Sequence, residues 1–144
     1  MKKLPPIEKV FEAWTAIADR RIIMKNDDSA EVASSDGEKN YIVKFSGNQY
    51  SSNDNATYWQ GYAGYPVIAV LMLQGKLPLD MKEAELWKGI NWTELNKKHK
   101  NKYNEAVKEI ADQRGINLSL SYEEATKIID ALKNLSIEIK RKIK

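Results

Sequence analysis

Apolar residues at Ile7, Val10, Phe11, Trp14, Ile17 and Ala18 recur at helical spacing, so an amphipathic helix stands near the start of the chain. Pro6 suits its first turn, where a missing N–H costs nothing, and the stripe runs out near Arg20. Arg21 to Asn26 then takes strand character, closed by the turn residues Asn26-Asp27-Asp28-Ser29. Asp36-Gly37 marks a hairpin, and a type I′ turn there pairs Ser35 with Glu38 and Val32 with Tyr41. In that register Tyr41, Val43 and Phe45 share one face of the sheet, and Ile42 and Lys44 share the other. Gly47-Asn48 supplies a second turn and sets Phe45 opposite Tyr50.

Asn53-Asp54-Asn55 ends the sheet, with room for a short helical turn before Gly61. The run from Pro66 to Leu73 is apolar on every side. Its proline start, its Leu-Met-Leu-Gln content and the stop at Gly75 favour a buried helix over a buried strand. Three capping patterns mark the remaining helices. Asp80 with Glu83 begins a short helix through Trp87, and Asn91 with Glu94 begins a long one to Arg114, stopped by Gly115. Ser121 with Glu124 begins the last, whose stripe of Ala125, Ile128, Ile129, Leu132, Leu135, Ile139 and Ile143 continues to the chain end, with Ile137 beside it. The expected fold is α+β in one domain over residues 1–144. It has an N-terminal helix, a small antiparallel meander of three to four strands, then about four helices packed on one sheet face. A helical stripe that reaches the chain end also offers a route to a homodimer.

Composition narrows the setting more than the chemistry. The chain has no cysteine, which removes disulfides and thiolate metal sites and suits a reducing, cytoplasmic compartment. The segment Met1 to Pro6 lacks the apolar core of a signal peptide, and no apolar run is long enough to span a bilayer. Net charge is +3, unevenly spread: residues 1–90 carry eleven basic and twelve acidic side chains, residues 91–144 twelve and eight. A charge of that size is what solubility alone asks for.

One departure from average composition points to a site. Between Phe45 and Gly75 the only charged side chain is Asp54, yet the stretch holds Phe45, Tyr50, Tyr58, Trp59, Tyr62 and Tyr65, six of the thirteen aromatics. Tyr50, Asn53, Asp54, Asn55, Tyr58, Trp59, Gln60, Tyr62 and Tyr65 together offer ring faces and neutral hydrogen-bond groups. That mixture fits a pocket for a small polar ligand or a surface for a protein partner, because Tyr and Trp give large contact area at little entropy cost. The plainer alternative is that these residues seal the junction between sheet and helices.

Other candidates are weaker. Asp54 as a general acid or base has no second carboxylate, histidine or nucleophile beside it in sequence, and Asp in an Asn-Asp-Asn turn ordinarily makes an Asx-turn or caps a helix. His99, the only histidine, falls in register with Leu95, Tyr103 and Ile110 at the edge of an apolar stripe, as a packing residue does. Lys97, Lys98, Lys100 and Lys102 make the basic run expected of a nucleic-acid surface, on one exposed helix, but almost without arginine. Lys140, Arg141, Lys142 and Lys144 add a second cluster at what is expected to be a helix C-terminus, where cations favour the dipole. Glycine-rich phosphate loops, nucleophile elbows and zinc signatures are all missing from the sequence, so no cofactor or metal is expected. The reading that results is a non-catalytic binding module acting through residues 50–66, with a small polar ligand or protein partner favoured over nucleic acid. Its alternatives are a nucleic-acid-associated protein using the Lys97–Lys102 face and a small enzyme using Asp54.

Overall fold

A computed structural model describes residues 3–143, leaving out Met1, Lys2 and Lys144. Helix α1 (Glu8–Ala18) leads into a four-stranded antiparallel meander of β1 (Ile22–Met24), β2 (Ser29–Ala33), β3 (Asn40–Ser46) and β4 (Gln49–Ser52). Helices α2 (Asn55–Gln60), α3 (Tyr65–Leu73), α4 (Met81–Leu86), α5 (Trp92–Lys98), α6 (Tyr103–Arg114) and α7 (Leu118–Lys133) come next. A fifth strand, β5 (Glu138–Ile139), then joins the sheet edge parallel to β4.

The fold is α+β, with the expected register in both hairpins. Val32 pairs with Tyr41, and Phe45 pairs with Tyr50, their rings stacked with centroids 5.7 Å apart. The turn between β2 and β3 differs from the expectation. Of its two central residues only Gly37 has positive φ, at +76°, which excludes a type I′ turn. Ser34 accepts the Gly37 N–H and donates its own N–H to the Lys39 carbonyl, leaving residues 35–38 as a longer loop in the same register. The Asp36 carboxylate stabilises this loop by accepting the Ser34 hydroxyl at 2.6 Å and the Glu38 N–H at 3.0 Å.

Helix α3 is buried from Pro66 to Met72 because it lies between the sheet and α1, which is why its sequence shows no polar side. It stops where expected. Gly75, at φ +76°, donates to the Met72 carbonyl while Lys76 donates to that of Leu71, closing a Schellman motif. Helix α1 is covered in turn by α3, α4, α6 and α7, so every residue from Lys9 to Ala18 is buried, its polar ones included.

Three other expectations are corrected. The long helix from Asn91 to Arg114 is two helices, because Lys100 and Asn101 take positive φ (54° and 62°) and break it. The last helix starts one turn early: Asn117 is its N-cap, accepting the Leu120 N–H, and Ser121 is buried inside it rather than capping it. It also ends at Lys133, so Lys140, Arg141 and Lys142 come after a strand instead of ending a helix, and Lys144 lies outside the described residues. Ile137 enters the core and Ile139 pairs with Tyr50. The fold thus takes up the apolar stripe as far as Ile139, while Ile143 lines a surface depression.

Candidate functional site

The aromatic segment does not form one surface. The structure divides it among the core, a buried polar cluster and the solvent face.

Tyr50 belongs to the core. Its ring is fully buried, and its hydroxyl donates to Gln74 Oε1 at 2.6 Å while accepting from Lys76 Nζ at 2.8 Å. Asn53 and Asn55 are exposed, and Asn53 uses Oδ1 to accept the Ile42 N–H at 2.8 Å, an architectural role. Tyr65 is half-buried, set edge-on to Tyr41 with the Arg21 guanidinium 6.0 Å from its centroid, and burial pushes its hydroxyl well above the usual tyrosine range.

Asp54 and Tyr62 turn inward toward α1. Asp54 is the N-cap of α2: its buried carboxylate accepts the Thr57 N–H through Oδ2 at 3.0 Å. Gly64 packs directly on that carboxylate. A Cβ there would overlap Asp54 Oδ2 and stand 2.7 Å from Thr57 Oγ1. Gly64 has ordinary extended backbone (φ −70°, ψ 174°), so the demand for glycine is steric. Gly64→Ala should displace the cap and destabilise the protein by about 1–3 kcal/mol in urea unfolding. An unchanged midpoint would show that the carboxylate moves aside freely.

Two buried residues that sequence reasoning passed over complete this cluster. Lys9 and Glu12 lie one helical turn apart on α1, Nζ to Oε2 at 3.3 Å, with side chains only 11% and 7% exposed. Burial pushes the Glu12 carboxyl up, opposed by Lys9 and Asn96 and reinforced by Asp54. Burial also acts against the charge on Lys9, but Glu12, Tyr103 and Tyr62 outweigh it and hold the ammonium above its ordinary value. The two shifts weigh the pair differently, the one on Glu12 favouring its neutral form and the one on Lys9 its charged form. The close contact, together with the Tyr103 ring 4.5 Å beneath Lys9, favours a charged lysine. A signal for this pair existed: between Lys9 and Ala18 only Lys9, Glu12 and Thr15 are polar, too few for a solvent face.

Tyr58, Trp59 and Gln60 turn outward on α2. Trp59 is 62% exposed, whereas Trp14, Trp87 and Trp92 are buried. Tyr58 and Trp59 meet edge to face at 4.8 Å, and the Arg141 guanidinium lies 5.4 Å from one centroid and 5.3 Å from the other. Arg141 Nε also donates to the Tyr58 carbonyl at 3.2 Å. Two open depressions of about 330 and 310 Å³ meet at this point, both lined by Tyr58 and Arg141. One continues past Trp59 to Lys140, the other past Ser51 and Asn53 to Lys44 and Lys142. The parallel pairing of β5 with β4 brings Lys140, Arg141 and Lys142 beside α2, and no local signal in the sequence announces it.

The basic run is arranged otherwise than a single helix would place it. Lys97 and Lys98 end α5, Lys100 lies in the turn, and Lys102 is the N-cap of α6. Lys98 pairs with Glu109 at 2.7 Å, and His99, the C-cap of α5, meets the same carboxylate at 2.9 Å. The depression of about 540 Å³ beside them is lined by Glu94 and Glu109 as well as Lys98 and Arg114, so its charge is mixed. Among the described residues there is no cluster of His, Asp and Glu able to hold a metal, and no helix is long and apolar enough to cross a membrane.

No curated protein and no solved structure matches the chain. A family model matches residues 2–138, from ahead of α1 into β5, with Tyr58 and Trp59 inside it and Lys140 to Lys142 beyond it. On that coverage the chain belongs to the family described as uncharacterised conserved protein UCP014422.

Proposed function

We propose that the protein is a non-catalytic binding module whose contact surface is Tyr58, Trp59 and Gln60 with Arg141, and whose ligand is a small polar anion carrying a flat ring. The observation that carries this reading is the exposure of Trp59. A 62% exposed indole, held edge-on to Tyr58 beneath a guanidinium, presents a ring face at little entropy cost to the bound state. Four cations border the same two depressions, which favours negative charge in the ligand. An absence of cysteine fits action in the reducing cytoplasm. The Asp54 reading gains nothing further, since among the described residues the Asp54 carboxylate hydrogen-bonds only the Thr57 N–H, which is not titratable.

Adenosine 5′-monophosphate is a suitable probe. It should quench tryptophan emission, which at this surface reports Trp59, and shift the amide resonances of residues 58–61 and 139–142. Trp59→Ala should weaken binding about tenfold or more, in line with roughly 1–3 kcal/mol per stacked base, while the melting temperature stays within a few degrees. Undisturbed resonances, or full affinity without Trp59, would overturn the reading.

A further inference from the structure

We infer that the natural ligand of this surface is a single strand of nucleic acid, laid along both depressions with bases against Trp59 and Tyr58 and phosphates over Lys44, Lys140, Arg141 and Lys142. The inference rests on the binding reading above and extends it from a ring-bearing anion to a strand.

Charge is the first support. The chain has 20 acidic residues against 23 basic ones, yet neither depression is lined by an aspartate or glutamate. Lys140 shares its charge with Glu138 at 3.3 Å. Among the described residues Lys44, Arg141 and Lys142 have no ion-pair partner, so they are available to phosphate. The cations are also divided between the two depressions, Lys140 in one, Lys44 and Lys142 in the other and Arg141 in both, which suits a repeating anion better than a single one.

Shape is the second. The two depressions are open and share Tyr58 and Arg141 in their linings, so they lie side by side rather than as one closed pocket. Exposed ring faces beside such open depressions select unpaired bases, because in a duplex the π-faces are already stacked on one another. An acidic peptide would satisfy the lysines but has no flat ring for Trp59. The aromatic pair therefore decides between the two polyanions.

The test is anisotropy titration of the full chain with labelled dT and rU oligomers of about ten residues, a duplex of the same length and a poly-glutamate peptide. The single strands should bind at least tenfold tighter than duplex or peptide. Three to four neutralised phosphates predict that log K falls with log salt at a slope of roughly −2 to −3. Trp59→Ala should cut affinity about tenfold with that slope unchanged, and Lys142→Ala should make the slope shallower by about 0.7. Equal or tighter binding of the peptide, a slope near zero, or binding indifferent to Trp59 would overturn the inference. Should the mononucleotide shift residues 58–61 while oligomers bind no tighter than it does, the strand is refuted and the small-ligand reading stands. Should neither probe bind, both fall.

Discussion

Lys9→Ala is expected to destabilise the protein by about 3–5 kcal/mol at neutral pH, and by distinctly less in acid. The alanine removes the cation 3.3 Å from Glu12 and leaves a carboxylate that is 7% exposed on a helix enclosed on all sides. Breaking one partner of a buried pair costs this much because the other charge stays desolvated and uncompensated. The pH dependence comes from the raised Glu12 carboxyl. Its ordinary value is 4.5, and burial lifts it in the folded state. A carboxyl lifted on folding holds its proton more tightly in the folded chain. It therefore contributes stability below its unfolded value, and that contribution is lost as pH rises through the folded one. Without Lys9 the strongest opposing influence is gone, the carboxyl rises further, and that loss extends to higher pH. Urea unfolding of wild type and Lys9→Ala at pH 5 and pH 8 measures the difference. A second variant, Lys9→Met with Glu12→Leu, should recover most of the stability, because a packed apolar pair often equals a buried ionic one. A cost under about 1 kcal/mol, equal at both pH values, would place the pair in solvent.

Trp87→Ala is expected to cost about 3–5 kcal/mol as well, the usual penalty for emptying a buried indole. Trp87 is fully buried just after α4. Its ring stands edge-on to Phe11 at 4.7 Å and stacks on Trp92 at 6.4 Å, and Phe11 in turn meets Trp14 and Tyr122 at 5.1 Å. Thr15 ties the same group together, donating to the Trp87 carbonyl and accepting from Trp92 Nε1 at 2.8 Å. Deleting the ring therefore opens a cavity among side chains that cannot close on it without moving α1. The melting temperature should fall by roughly 10–20 °C for a chain of this size. Nucleotide affinity measured below the new midpoint should be unchanged, since Trp87 does not line either depression. A loss below about 1 kcal/mol would show that the aromatic group repacks. The contrast with Trp59 separates the two roles of tryptophan: one residue should lose stability and keep binding, the other should do the reverse.

Much of the fold was legible in the sequence, and for identifiable reasons. The α1 stripe, the Val32–Tyr41 and Phe45–Tyr50 registers, the Asp54 and Asp80 caps and the Gly75 stop all depend on residues close together along the chain. The errors arose where local signals competed. Asn117 and Ser121 are both good N-caps, and helix packing, not propensity, buried Ser121. Lys100 and Asn101 carry no glycine or proline to announce the break between α5 and α6. Asp36-Gly37 has the composition of a type I′ turn, but the side chain of Asp36 found a better arrangement in holding Ser34 and Glu38.

The candidate site was legible by half. Neutrality and aromatic content singled out residues 45–75, but could not say which rings face water. That depends on pairing between distant segments. Lys9 and Glu12 became a buried pair only because α3, α4, α6 and α7 close over α1. Arg141 reached Tyr58, 83 residues earlier, only because β5 lies parallel to β4. Periodicity, caps and turn residues are short-range physics, and they settled the type of most elements, the two hairpin registers and the α+β order. Burial of a charge and the meeting of a cation with an aromatic ring depend on how finished elements pack, and the tertiary structure alone assigned them.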